Sequence, residues 1–416
     1  MDLHLGISPC LRYHKGNGNY IQSINHGSNS MYNFDKLVDR RGTDCIKWDR
    51  VAKVYGAEDV IPLWIADMDF EILPELQQAL HTRVDHPSFG YTLPPAGYRE
   101  SIVNWCRARH GMEITKSDIW GIPGVITALA FVLHALTIPG DKVMICTPVY
   151  NPFAETIEAF SRTLITSPLK CEGTRRVMDF EDIEAKMQDG VKMFILCNPH
   201  NPIGRVWTKE ELHRLAELCA KYNVYLFSDE IHADLCYGGH KHCSVLTVSD
   251  KAREIAICAM APSKTFNIAG LKSSMFIIQN PEIREKIKAA VNAFHLGLDL
   301  LAYTATEACY THGAQWVDEL NDYLFENARF VTDFCEKHLK VHTFVPEGTY
   351  LMWLDFSAYG LSQEELMRKL KEDARVGLNN GTDYGPEGLG FARMNIGSPR
   401  FLLEEALNRI KNAFEQ

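Results

Sequence analysis

The sequence lacks three features that would assign it to common classes of protein: long apolar runs, a surplus of basic residues and paired cysteines. None of its apolar stretches reaches the length of about 18 residues that a transmembrane helix needs, so we expect no membrane span. Its 43 lysines and arginines are outnumbered by 53 aspartates and glutamates, which leaves a net charge of −10. Because binding to nucleic-acid phosphates requires a basic face, we expect no nucleic-acid partner.

The 12 cysteines are scattered, and none belongs to a Cys-x-x-Cys motif. Several lie inside apolar segments, as Cys146, Cys197 and Cys258 do. This spacing predicts reduced, buried thiols in a cytoplasmic protein, and neither a disulfide framework nor a zinc site.

Asp67 and Asp69 are close in sequence and could together bind a metal ion, but no His or Cys lies beside them. We therefore expect no metal site and interpret them as loop carboxylates that cap a helix beginning near Leu73. Residues 1 to 30 are rich in Gly, Asn, Ser and His and lack the apolar core of a signal peptide, so they are expected to form a flexible leader.

The middle of the chain alternates short apolar strands with amphipathic helices. In the predicted helix 209–221, apolar residues recur at positions i, i+3, i+4 and i+7. This alternation predicts an α/β fold with a mostly parallel sheet, whose ligands bind at the carboxyl ends of its strands. The other predicted elements are strands at 143–146, 192–197, 224–227, 255–260, 350–356 and 390–396, an extended segment at 61–66, and helices at 126–136, 282–300, 315–338, 362–371 and 402–414.

Lys264 lies just beyond the apolar strand 255–260. A lysine that loses its hydration has a lowered pKa, so part of it is neutral and can form a Schiff base with an aldehyde cofactor. Taken alone, the residue is equally well explained as a solvated lysine past a strand end.

Three further motifs accompany Lys264 in a fixed order. Asn198–Gly204 and Ser228–His232 each follow an apolar strand, and Arg393 precedes Met-Asn-Ile-Gly near the end of the sequence. This order resembles the fold type I enzymes that use pyridoxal 5'-phosphate (PLP), and within them the aminotransferase class I/II group, over about residues 31 to 416. The resemblance implies a PLP-dependent transferase-like fold, with a large PLP-binding domain at 81–317 and a smaller α+β domain formed by 31–80 and 318–416.

The resemblance also implies a role for each residue of the motifs. Lys264 would hold PLP as a Schiff base and later act as the base at the substrate Cα. Asp229 would pair with the pyridine nitrogen, and Asn201 would bind the phenolic oxygen of the ring. Tyr150 would stack on the ring, and Arg393 would bind the substrate carboxylate through two parallel hydrogen bonds.

A second set of residues would surround the phosphate and the substrate. A glycine at a helix start, with free N–H groups and the helix dipole, suits a phosphate. The same family places a tyrosine of the neighbouring subunit at the cofactor phosphate, which implies a homodimer with shared active sites. The residues concerned are Gly124, Val125, Ile126, Ser263 and Lys272 at the phosphate, Tyr91 from the neighbouring subunit, and the backbone of Ala66 beside the substrate carboxylate. Two alternatives stay open, a surface position for Lys272 and a packed loop aromatic for Tyr91.

Some positions depart from the common aminotransferase pattern. His232 replaces a tyrosine three residues after Asp229 and is expected at the cofactor, Ala261 replaces a serine, and Lys272 replaces an arginine. With these departures, the segments WIADMDF, FGYTLPPAGY, SDEIHADL, APSKTFNIAGLKSS and GTYLMWLDF resemble the cystathionine β-lyase-type C–S lyases. That likeness implies α,β-elimination from cystathionine, cysteine or cysteine S-conjugates, with a thiol, pyruvate and ammonia as products.

Two other functions are compatible with these motifs. An aminotransferase would use the same residues, because both reactions begin with loss of the Cα proton, but it would need a keto acid. An additional regulatory binding role is also possible for this subgroup, although the intact set of Lys264, Asp229 and Arg393 argues against a protein without catalysis.

Overall fold

A computed structural model describes residues 30–173 and 175–415. The leader predicted for residues 1 to 30 lies outside the described residues except for Ser30. In the part of the chain that is described, no helix combines the length and apolar character needed to cross a membrane.

The helices of the described residues are named α1 to α15 in chain order: Ile46–Asp49, Val51–Tyr55, Pro74–Val84, Ala96–His110, Val125–Leu136, Pro152–Ala159, Phe180–Gln188, Lys209–Lys221, Asp250–Ile255, Pro262–Thr265, Pro281–Ala293, Leu300–His312, Ala314–His338, Gln363–Arg368 and Arg400–Phe414. The strands, β1 to β14, are Ile61–Pro62, Ile119–Pro123, Lys142–Thr147, Thr163–Pro168, Lys170–Glu172, Arg175–Val177, Val191–Cys197, Tyr225–Asp229, Ala256–Met260, Ser273–Ile277, Leu351–Asp355, Val376–Gly377, Asn379–Asn380 and Phe391–Asn395.

The largest sheet has the strand order β2-β10-β9-β8-β7-β3-β4. Strands β9, β8, β7, β3 and β4 are parallel, and β10 runs antiparallel to both of its neighbours. The predicted α/β fold with a mostly parallel sheet is therefore confirmed.

This sheet is buried on both faces because its central strands are apolar throughout. Alternate residues enter two separate cores, one containing Met144, Phe194 and Leu226, the other Ile145, Ile195 and Phe227.

Helix α8 begins and ends where the sequence predicts. The side chain of Thr208 accepts a hydrogen bond from the Glu211 amide, and the Glu211 carboxylate accepts one from the Thr208 amide, which completes a capping box. Its apolar face is buried at every fourth or third position, which packs the helix against the large sheet.

A smaller sheet joins β11, β14 and β13, while β1 pairs with β12 through Ile61–Val376 and Pro62–Gly377. Residues from both ends of the described chain therefore share one structural region. The domain bounds given above stay a prediction.

The predicted helix 282–300 is wrong over its last third. Helix α11 ends at Ala293, and His295 adopts a left-handed backbone conformation with φ of 50°. Asp299 then accepts a hydrogen bond from the Ala302 amide and starts α12.

The interpretation of Asp67 and Asp69 as helix caps is also wrong. Helix α3 follows Leu73, whose side chain cannot accept a hydrogen bond. Asp69 is instead fully buried, with its carboxylate 2.7 Å from Nζ of Lys47, and Asp67 binds both terminal nitrogens of Arg40 at 2.7 and 2.8 Å.

Replacement of Lys47 by methionine is expected to lower the free energy of unfolding by about 3 kcal/mol, because it removes the buried cation 2.7 Å from the Asp69 carboxylate and leaves only Arg40, at 3.2 Å, beside that charge. The exposed Lys53 on α2 provides the matched control, and Lys53→Met should change stability by less than about 0.5 kcal/mol. Urea unfolding of both variants measures the difference. Equal midpoints would show that Lys47 does not compensate Asp69.

Candidate active site

A cavity of about 570 Å³ opens at the carboxyl ends of the parallel strands. Cys197 ends β7, Asp229 ends β8, and both line the cavity. Except for Tyr91, all the predicted cofactor and substrate residues line it as well: Ala66, Gly124, Val125, Ile126, Tyr150, Asn201, Asp229, His232, Ser263, Lys264, Lys272 and Arg393.

Lys264 lies on the four-residue helix α10, which directly follows β9. Its Nζ donates a hydrogen bond of 2.6 Å to the carbonyl of Ala66, which also accepts a hydrogen bond of 2.9 Å from the Tyr350 hydroxyl. Burial lowers the pKa of Lys264 to about 8, although the Asp67 carboxylate opposes this shift. About a tenth of the amine is therefore neutral and nucleophilic at pH 7, far more than for a solvated lysine.

Asp229 is buried, and one of its carboxylate oxygens accepts a hydrogen bond of 3.0 Å from the Ile231 amide. Burial raises the pKa of Asp229 to about 7, because the ionised carboxylate has lost most of its hydration. A protonated ring nitrogen beside this carboxylate would favour its ionised form. The environment of Asp229 therefore fits the cation that PLP would place there.

The start of α5 has the features expected of a phosphate cradle. The first hydrogen bond within the helix joins the Ala128 amide to the Gly124 carbonyl at 3.0 Å, so the amides of Val125 and Ile126 precede the helical ladder. The Gly124 amide is already bound to the Ile122 carbonyl and to Oγ of Ser274. Gly124, with φ of 97°, thus shapes the turn. The amides that can donate to a phosphate are those of Val125 and Ile126.

Ser263 and Lys272 face the same cavity from the other side of the cradle. Ser263 is buried, whereas Lys272 is exposed and has a left-handed backbone with φ of 48° at the residue before β10. An ammonium and a hydroxyl beside free helix amides form a donor set that suits a phosphate dianion.

Arg393 on β14 is buried and held rigidly. One terminal nitrogen donates to the carbonyl of Trp64 and to Oδ1 of Asn379, both at 2.6 Å, and the other donates to Oδ1 of Asn201 at 3.3 Å. The guanidinium also lies over the ring of Tyr384, 5.2 Å from its centroid. Among the described residues, the buried Nε of Arg393 has no hydrogen-bond partner.

The side-chain oxygen of Asn201 accepts the hydrogen bond from Arg393. The side-chain NH₂ group of Asn201 is therefore the part that can donate to a cofactor oxygen. His232 is buried beside Tyr350, with ring centroids 5.8 Å apart, and burial lowers the pKa of His232 to about 3. His232 is therefore neutral at physiological pH. Tyr150 is half-buried, and its ring lies edge-on to Phe153.

Several residues that line the cavity were not predicted as site residues. Thr127 follows the predicted cradle, so its place as the third residue of α5 could have indicated it. Trp64 and Ser273 lie in segments that carry the family resemblance, although no role was assigned to them. Other unpredicted lining residues, among them Asn151, Asn379, Asp383 and Tyr384, are brought to the cavity by tertiary packing. Tyr91 does not join the cavity, because it is fully exposed in the loop between α3 and α4.

The residues around the cavity fit PLP at each of its polar groups. Lys264 matches the aldehyde, Asp229 the ring nitrogen, Asn201 the phenolic oxygen, and the start of α5 the phosphate.

Comparison with known proteins gives a consistent result. The family model for aminotransferase class I and II matches residues 58–410. The chain is 44% identical over 384 residues to cystathionine beta-lyase PatB of Bacillus subtilis (strain 168), covering 92% of this chain and 99% of that protein. It is 34% identical over 389 residues to Protein MalY of Escherichia coli (strain K12), with coverage of 92% and 99%.

Solved structures agree with these matches. Cystalysin from Treponema denticola, which contains a PLP cofactor, superposes with a TM-score of 0.90 at 33% identity and covers 93% of this chain and 99% of its own. The PLP-bound C–S lyase from Staphylococcus hominis has a TM-score of 0.85 at 31% identity, with coverage of 92% and 98%. The resemblance indicated by the sequence motifs is confirmed for the family and for the C–S lyase subgroup. The chain belongs to the aminotransferase class I and II family.

Proposed function

We propose that this chain is a PLP-dependent C–S β-lyase of the cystathionine β-lyase type. Its substrates would be cystathionine, cysteine or cysteine S-conjugates, and its products a thiol, pyruvate and ammonia. The observation that carries the proposal is the convergence of Lys264, Asp229 and Arg393 in one cavity, in a chain 44% identical to a cystathionine beta-lyase.

PLP, when bound, supplies an electron sink for the negative charge that develops at the substrate Cα. Arg393 binds the substrate α-carboxylate and so orients the Cα–H bond. Lys264, whose neutral form is accessible near pH 8, removes the Cα proton as a general base. Asp229 holds a negative charge at the far side of the cavity, which stabilises positive charge on the group bound there.

The position of sulfur on the substrate Cβ determines the outcome. Once the Cα proton has been transferred to Lys264, the electron pair can expel a thiolate from Cβ. Hydrolysis of the remaining three-carbon unit yields pyruvate and ammonia. No keto acid is consumed, which separates this reaction from transamination.

Shared active sites in a homodimer are part of the same proposal. The loop between α3 and α4 exposes the apolar side chains of Phe89, Tyr91 and Leu93, which is typical of a surface that a second subunit covers. In such a dimer, the partner subunit's Tyr91 would reach the phosphate. A cytoplasmic location is proposed as well, because the 11 cysteines of the described residues form no disulfide.

The test of the proposed function uses the purified protein with PLP and L-cystathionine and without any keto acid. Pyruvate and free thiol should appear in equal amounts over many turnovers. Conversion of the cofactor to its amine form, without pyruvate, would overturn the lyase assignment in favour of an aminotransferase. The additional regulatory role stays a prediction.

A further inference from the structure

A buried polar cluster lies behind the cavity, centred on Asp234. The Asp234 carboxylate accepts hydrogen bonds of 2.9 Å from Nε1 of Trp105 and from Oγ1 of Thr265, and Nε2 of His110 lies 2.9 Å from it. Burial alone would raise the pKa of Asp234, but the contact with His110 holds this pKa below its usual value. The carboxylate is therefore ionised, and its bond to the Thr265 hydroxyl is charge-assisted.

The two ends of this bond belong to the segments that carry the cofactor groups. Thr265 directly follows Lys264 on α10, and Asp234 lies five residues after Asp229, in the turn that leaves β8. The contact between Thr265 and Asp234 therefore connects the segment that carries Lys264 with the segment that carries Asp229.

Helix α10 cannot hold its own orientation. It has four residues, and it starts after Ala261, whose side chain cannot cap it. An isolated helical turn of this length is unstable, so its direction depends on tertiary contacts. The hydroxyl of Thr265, which is fully buried, provides such a contact one residue from Lys264.

A second series of contacts links the cluster to the residue next to Asp229. The ring of His110 meets the ring of His242 edge-on at 5.2 Å, and Nε2 of His242 lies 2.8 Å from the carboxylate of Glu230. Glu230 is the residue next to Asp229, and its amide is bonded to the Ala259 carbonyl of β9 at 2.8 Å. Two sets of contacts therefore connect the Asp234 cluster with the segment of Asp229, one through Asp234 itself and one through His242 and Glu230.

We propose that the hydrogen bond between Thr265 and Asp234 is a positioning contact, which sets the separation and angle between Lys264 and Asp229 across the bound cofactor. This inference rests on the proposed function. Proton transfer at Cα requires Lys264 to approach within hydrogen-bonding distance, and a displacement of about 1 Å can cost about 10²-fold in rate. Thr265 itself contacts neither cofactor nor substrate.

The test compares Thr265→Val with Thr265→Ser in the PLP-loaded enzyme. Valine keeps the shape of threonine and removes the hydroxyl, whereas serine keeps the hydroxyl. Thr265→Val should lower kcat about 10- to 100-fold with little change in KM and with PLP still covalently attached. Thr265→Ser should restore kcat to within about 2-fold of the wild-type value.

A second readout is the pH midpoint of the visible absorbance of the bound cofactor. The charges that act on Lys264 are those of Asp67, Arg393 and Asp229, and none of them is changed in the variant. A displaced Lys264 should shift the midpoint in Thr265→Val by about half a pH unit or more, and Thr265→Ser should restore it.

The control is Thr137→Val at the end of α5, which removes another buried hydroxyl, one that donates to the Leu133 carbonyl. This variant should lose stability without altering kcat or the midpoint. A Thr265→Val enzyme with wild-type kcat and midpoint, or changes shared with Thr137→Val, would overturn the inference.

If Thr265→Val does not fold, Thr265→Ala provides the same comparison without added bulk. If the wild-type protein releases no pyruvate, the proposed function fails. The midpoint would still report whether Thr265 positions Lys264, since it requires the bound cofactor and no turnover.

Discussion

Replacement of Lys264 by alanine is expected to reduce pyruvate release by at least about 10³-fold. Loss of a general base alone typically costs about 10²- to 10⁴-fold, and Lys264 is also the covalent anchor of PLP in the proposed mechanism. Its Nζ lies inside the cavity, 2.6 Å from the Ala66 carbonyl, where it can serve in both roles.

Covalent attachment provides a direct measurement that does not depend on turnover. Borohydride reduction of the loaded wild-type enzyme should fix one cofactor mass to the peptide that contains Lys264, and Lys264→Ala should gain none. Small primary amines added to the variant should restore part of the rate, because they replace the missing base. Lys251→Ala, which removes an exposed lysine paired with Glu217, should behave like the wild-type protein.

A cofactor mass fixed to Lys264→Ala would refute the assignment of the anchor. The attached peptide would then identify the lysine that holds PLP. Lys272 would be the first to inspect, because it lines the same cavity.

Local signals explain which parts of the fold are predictable. Helix α8 has the bounds that the sequence predicts because a regular apolar period runs through its 13 residues. The apolar strands β7, β8 and β9 were likewise located to within one or two residues. Parallel strands have their carboxyl ends at one edge of a sheet, so the sequence also predicts that Asp229 and Lys264 lie near each other.

Contacts between distant segments explain the failures. The buried partner of Asp69 is Lys47, 22 residues earlier, and neither residue forms a local pattern that indicates the pair. The predicted helix at 282–300 continued through a break at His295 that apolar spacing does not reveal. The partners of Arg393 were unpredictable in the same way, since the bond to Trp64 spans 329 residues.

Replacement of Arg393 by lysine is expected to lower kcat/KM by about 10²-fold, mainly through KM. Lysine cannot form two parallel bonds to a carboxylate, and hydrogen bonds to charged groups contribute about 1.5–3 kcal/mol each. The substitution also removes the guanidinium that binds the Trp64 carbonyl and Asn379, so the wall of the cavity loses these contacts. Arg409→Lys on α15, a half-buried position paired with Glu405, is the matched control and should retain wild-type kinetics.

The decisive measurement separates the carboxylate contact from any general disturbance of the site. Binding of S-alkyl cysteine is compared with that of the corresponding S-alkyl cysteamine, which lacks the α-carboxylate, in the wild-type enzyme and in Arg393→Lys. If Arg393 binds this carboxylate, the substitution weakens binding of the cysteine compound about 10²-fold and hardly affects the cysteamine. Equal losses for both compounds would mean that Arg393 acts through the architecture of the cavity, with its bonds to Trp64, Asn379 and Asn201 as the cause.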